Sequence, residues 1–108
     1  MDFDITSPQP MRQHPRVHAD FVVKLGRGER SVLARALDVS LAGMALHDPA
    51  GELDDSVQRV ALRIPGEPHE LELPVRFARR SGDKVALAFS KLDWDDLFTL
   101  ARYLSPRL

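Results

Sequence analysis

From residue 18 onward, apolar and polar residues alternate with a period of two, the signature of half-buried strands. In HADFVVKL (18–25), Phe21, Val23 and Leu25 fall on one face. GRGE (26–29) follows as a hairpin loop, with glycines that accept positive φ. SVLARALDV (31–39) is apolar on both faces apart from Arg35, which predicts a central strand. GMALH (43–47) is a short strand, and DPAGELDDS (48–56) is a polar loop. In VQRVALRI (57–64), Val60, Leu62 and Ile64 point one way, with Arg59 and Arg63 the other. PGEP (65–68) turns the chain. ELELPVRFA (70–78) gives the cleanest alternation, with Leu71, Leu73, Val75 and Phe77 inward. After a turn at SGD (81–83), KVALAF (84–89) directs Val85, Leu87 and Phe89 to the core.

The period then changes to that of a helix. In DWDDLFTLARYL (93–104), Trp94, Leu97, Phe98, Ala101 and Leu104 mark one face, with Trp94 expected as a core anchor. Asp93 can cap the start, Asp95 and Asp96 lie near the positive end of the helix, and Arg102 lies near the negative end. Six closely spaced strands and one helix predict an all-β domain. Its expected form is a six-stranded antiparallel β-barrel, with the C-terminal α-helix packed against it. Residues 1–10 (MDFDITSPQP) have few apolar positions and two prolines, and read as a flexible arm. Residues 11–108 form the domain, with the barrel at about 18–90 and the helix at about 93–104.

Composition narrows the function classes. A chain of 108 residues suits one domain with a modest core. The formal net charge of -1 gives no general electrostatic grip on DNA, RNA or a membrane, although a local basic patch is compatible with it. No apolar run approaches the roughly 20 residues of a membrane span. The absence of cysteine removes disulfides, thiolate metal sites and a cysteine nucleophile, and fits a cytoplasmic protein.

Enzyme chemistry has no foothold. The metalloprotease H-E-x-x-H, the P-loop and the G-x-S-x-G elbow are all missing. His14 and His18 have a metal-binding spacing for a helix, but Pro15 between them opposes one and no carboxylate completes a set. Asp54 and Asp55 read as solvated loop residues. Neither a catalytic residue nor a metal site is assigned. A barrel that binds single-stranded nucleic acid would interleave basic and aromatic residues, whereas most of the five Phe, one Tyr and one Trp alternate toward the core.

Two short segments carry the remaining signal. RQHPR places Arg12 and Arg16 four apart on an extended segment before the first strand. DVSLAG closes a strongly apolar strand with Asp38 and Ser40 and opens the next with Gly43. Taken alone, the second is an ordinary polar turn. Together, RxxxR and, about twenty residues later, DxSxxG resemble the PilZ domain family, bacterial receptors for cyclic dimeric GMP. The resemblance extends from residue 11 to residue 104. It includes Val17 after the second arginine, GMAL after the second motif, and LELPVRFARRSGDKVALAF as the last hairpin.

The resemblance implies a stand-alone receptor with no further cofactor. Arg12 and Arg16 would grip bases and phosphates, Asp38 and Ser40 would read a guanine edge, and Gly43 would shape the turn. The chemistry is apt: guanidinium matches phosphate and the guanine O6/N7 edge with paired donors, and a carboxylate accepts from the ring N–H and amino group. Output would pass to a protein effector or through self-association as a homodimer. The alternative is a PilZ-like protein–protein adaptor that binds no nucleotide. Three positions depart from the family's pattern. Gln13 stands where many members have a second arginine, Ala86 where the last strand often has glycine, and Met11 at the position before the motif. The Ala86 change reads as a minor packing adjustment, and Met11 bears on ligand stoichiometry.

Overall fold

The computed structural model describes residues 15–107. The expected arm (1–10), Met11, Arg12 and His14 lie outside that span. Six strands form a closed antiparallel barrel: β1 (Val17–Arg27), β2 (Arg30–Val39), β3 (Gly43–His47), β4 (Arg59–Leu62), β5 (Leu71–Ser81) and β6 (Lys84–Phe89). Their order around the barrel is β1-β2-β3-β6-β5-β4, closed by pairing of β4 with β1. The helix α1 (Trp94–Leu104) follows. Closure gives every strand a neighbour on both sides, although β4 meets β1 only at Lys24–Gly26 and β5 only at Leu71–Pro74.

The predicted alternation places the core correctly. Val23, Leu25, Val60, Leu62, Ile64, Leu73, Val75, Val85 and Leu87 are all buried. β1 runs on through Gly26 and Arg27, which the sequence assigns to the hairpin loop, and two further strands differ in extent from the pattern. β4 is shorter than its eight-residue alternating run, because Val57 and Ile64 pack into the core from outside the ladder. β5 is longer, carrying Arg79, Arg80 and Ser81 into the last hairpin. Leu33, expected on a central strand, is 68% exposed, because β2 curves in a barrel whose outer face meets solvent.

The loop at 48–56 is fixed by a buried carboxylate. Asp48 accepts from the backbone N–H of Glu52 (3.0 Å) and Leu53 (2.9 Å) and from the guanidinium of Arg80. Arg80 also donates to the carbonyls of Leu53 (3.0 Å) and Gly82 (3.3 Å). Burial raises the Asp48 pKa, but these bonds and the positive charge of Arg80 outweigh it and hold the carboxyl below its ordinary value.

Helix α1 begins as expected, with the Asp93 side chain accepting from the Asp96 N–H at 2.9 Å. Its buried face is different. Leu100, Tyr103 and Leu104 enter the core, and Tyr103 meets Phe21 edge-on with ring centroids 6.2 Å apart. Trp94 is 73% exposed and Phe98 59% exposed. Seating Tyr103 rotates the helix, so the apolar arc is wider than the buried one. Trp94 is therefore not the core anchor that the periodicity predicts. The described residues contain no helix long and apolar enough to cross a membrane.

Candidate functional site

The two motifs meet. Arg16, immediately before β1, donates to Asp38 near the end of β2 at 2.7 Å. The pair lies on the rim of a cavity of about 520 Å³, within the span of roughly 300–1,000 Å³ usual for small-molecule sites. The cavity is also lined by His18, Leu37, Ala45, Arg79, Ser81, Lys84 and Ala86.

Strand register explains this set. His18 of β1 pairs with Asp38 of β2, Asp38 with Ala45 of β3, Ala45 with Ala86 of β6, and Ala86 with Arg79 of β5. Directly opposed residues share a face. The five therefore form one row across five strands, on the outer face, opposite the core residues Leu46 and Val85. Two alanines at its middle make a low floor, and charged side chains rise on both sides.

Irregularities in three strands flank this row. The registers shift between His18 and Phe21 in β1, between Ala36 and Asp38 in β2, and between Phe77 and Arg79 in β5. Such bulges re-aim side chains. In β5 the effect is explicit. Phe77 opposes buried Leu87, so unbroken alternation would send Arg79 inward. The extra residue, Ala78, inverts the parity: Arg80 opposes buried Val85 and reaches Asp48, while Arg79 opposes Ala86 and lines the cavity.

Ser40 and Gly43 have another location. Ser40 is 5% exposed, and its hydroxyl accepts from the N–H of Ala42 (3.1 Å) and Gly43 (3.3 Å). Its own N–H donates to the Gly43 carbonyl at 2.9 Å. Gly43 pairs with Ala88 so closely that a Cβ there would stand 2.0 Å from the Leu87 carbonyl oxygen. Both residues build the β2–β3 turn, and neither lines the cavity. Of the expected ligand residues, Arg16 and Asp38 come together in the cavity, and Arg12 is outside the described span.

Arg79, Ser81, Lys84, Ala45 and Ala86 were not singled out by sequence as site residues, and His18 was weighed only as a metal ligand. A signal for Arg79 exists in FARR, where two arginines follow an inward phenylalanine and an unbroken strand would bury the first. Ala86, which departs from the expected glycine, also lines the cavity.

A family model for the PilZ domain matches residues 10–105, nearly the whole chain. The chain belongs to the PilZ domain family. PilZ domains are binding domains, generally receptors for cyclic dimeric GMP, and not known as enzymes. No curated protein sequence matches the chain. Solved structures share the fold at low identity. The PilZ domain of CeSA from a cellulose-synthesizing bacterium has a TM-score of 0.67 at 19% identity, covering 87% of this chain and 99% of that one. The Bacillus subtilis inhibitor of motility MotI/DgrA gives 0.71 at 22%, covering 89% and 50%. The PilZ domain of Escherichia coli YcgR, solved with cyclic dimeric GMP, gives 0.64 at 14%, covering 89% and 90%.

Proposed function

We propose that this PilZ protein is a receptor for cyclic dimeric GMP, which it holds against the outer face of its barrel. The observation that carries the proposal is the Arg16–Asp38 ion pair at 2.7 Å on the cavity rim, which joins the two family motifs across 22 residues. Asp38 accepts from the guanine ring N–H and amino group, and Arg16 takes the O6/N7 edge or a phosphate. Arg12, four residues earlier, adds a second guanidinium from the segment before β1. Ser40 and Gly43 act through the turn that holds Asp38 in place. Without ligand, Arg16 and Asp38 satisfy each other; with ligand, each exchanges that partner for the nucleotide.

The signal passes to a protein effector. Trp94 and Phe98, with ring centroids 6.0 Å apart on the exposed side of α1, also favour a second reading: an adaptor that contacts protein without nucleotide. The similar Bacillus subtilis protein is described as an inhibitor of motility. Calorimetric titration with cyclic dimeric GMP decides between the two. The receptor binds saturably, and the Arg12→Ala, Arg16→Ala double variant does not. A folded wild type that gives no heat at several temperatures would leave the adaptor. Asp38→Ala should weaken guanine binding far more than binding of the adenine analogue, and equal losses would remove Asp38 from base reading.

A further inference from the structure

The cavity has a second charged wall that lies outside both motifs. Arg79 and Ser81 near the end of β5, with Lys84 and Ala86 at the start of β6, project from one hairpin onto the same outer face. They face the Arg16–Asp38 pair across the floor made by Ala45 and Ala86. The hairpin itself is anchored: Arg80 is tied inward to Asp48, Leu53 and Gly82. Arg79 therefore stands on a fixed strand next to its immobilised neighbour.

The charges around the cavity do not cancel. Among the described residues, Asp38 is its one carboxylate and is taken by Arg16. Among the described residues, neither Arg79 nor Lys84 pairs with a carboxylate, whereas Arg27, Arg35, Arg59, Arg80 and Arg102 each do. Two cations thus remain unneutralised on a concave surface with a methyl floor. Cyclic dimeric GMP carries two phosphodiesters, each with one negative charge.

We infer that Arg79 and Lys84 form a second, phosphate-binding wall of this site, in addition to the contacts of Arg16 and Asp38. This rests on the receptor function proposed above and extends its site. Arg79 presents two parallel donors to the non-bridging oxygens of one phosphodiester, and Lys84 places a point charge beside the other. The two alanines leave the flat nucleotide room to approach the strands, with the barrel's outer surface as one face of the site. The hairpin wall adds to affinity and salt sensitivity, while the motif wall reads the base.

The experiment is calorimetric titration with cyclic dimeric GMP at low and high salt. The proteins are the wild type, Arg79→Ala, Lys84→Ala, the double variant, Arg79→Lys and Arg16→Ala. Both side chains are exposed, so thermal melting should be unchanged in the hairpin variants. Each alanine variant should bind about 10- to 100-fold more weakly, in line with loss of a charge-assisted hydrogen bond. The double variant should lose most of the wild type's salt dependence. Arg79→Lys should recover only part of the loss, because it keeps the charge without the paired donors. Alanine variants within twofold of wild type, with its salt dependence intact, would overturn the phosphate wall while Arg16→Ala still abolished binding. A wild type that binds nothing would overturn the receptor function and this assignment together.

Discussion

Gly43→Ala isolates what the last position of the DxSxxG segment contributes. The demand for glycine there is a matter of space. A Cβ would sit 2.0 Å from the Leu87 carbonyl oxygen and 3.0 Å from the Ala88 Cα, both backbone atoms that no side-chain rotation can move. Restoring ordinary contact requires β3 and β6 to separate locally by more than 1 Å, about the margin that turns a hydrogen bond into none. The bonds at stake are Phe89 N–H to the Ala42 carbonyl at 2.8 Å and the adjoining bonds of the β3–β6 ladder. Losing two such bonds and stranding their buried groups should cost about 3 kcal/mol. For a domain of this size that lowers the melting temperature by about 12 °C or more. Far-UV circular dichroism on heating measures it. Gly28→Ala is the control: Gly28 has φ of +65° with open space around its would-be Cβ, so only backbone strain applies, about 1 kcal/mol. A Gly43→Ala melt within about 2 °C of wild type, or one no lower than Gly28→Ala, would refute the close-approach reasoning.

Leu73→Asp should unfold the domain, since Leu73 is fully buried in β5; a normal melting curve would place that strand's inward face one residue out. Asp48→Asn should lower stability at pH 7 by about 2–3 kcal/mol, less than a fully buried pair would cost because Arg80 is partly exposed. The Asp48 carboxyl is held below its ordinary value of 3.8 in the folded protein, so its contribution is complete above that pH and is lost as pH falls through the folded value. Urea unfolding at pH 7 and pH 3 should therefore show a smaller acid loss in Asp48→Asn than in wild type, and equal losses would exclude Asp48 as the source. Trp94→Ala should change the melting temperature by less than about 3 °C, because Trp94 is exposed; a larger drop would return it to the core.

The barrel was legible because its information is local. Period-two alternation at Leu71, Leu73, Val75 and Phe77 needs only a buried face and a solvated one, and β6 reads the same way. Half of the site was legible for a different reason. Arg16 and Asp38 fall in short motifs of chemically apt residues, and both line the cavity. The other half depends on facts that no window of sequence contains. Whether Arg79 or Arg80 faces out turns on one extra residue at Ala78, and Ala45 gains meaning only beside Ala86 of β6, a neighbour 41 positions away. Trp94 misled for a related reason: helical periodicity gives an apolar arc, but packing against the core decides which part of that arc is buried. The motif does not reveal that the Ser40 hydroxyl accepts from two N–H groups of its own turn.

The row His18–Asp38–Ala45–Ala86–Arg79 draws one residue from each of five strands. No short peptide excised from this chain could reproduce it, and a one-residue slip in any of the five strands would turn that strand's contribution into the barrel interior. A ligand seated on the row is thus a stitch through the sheet, bridging β3 and β6, which are neighbours in the barrel but distant in the chain. Its binding adds to the free energy needed to open the barrel. Amide hydrogens of the barrel strands whose exchange needs the barrel to open should therefore slow together when the site fills.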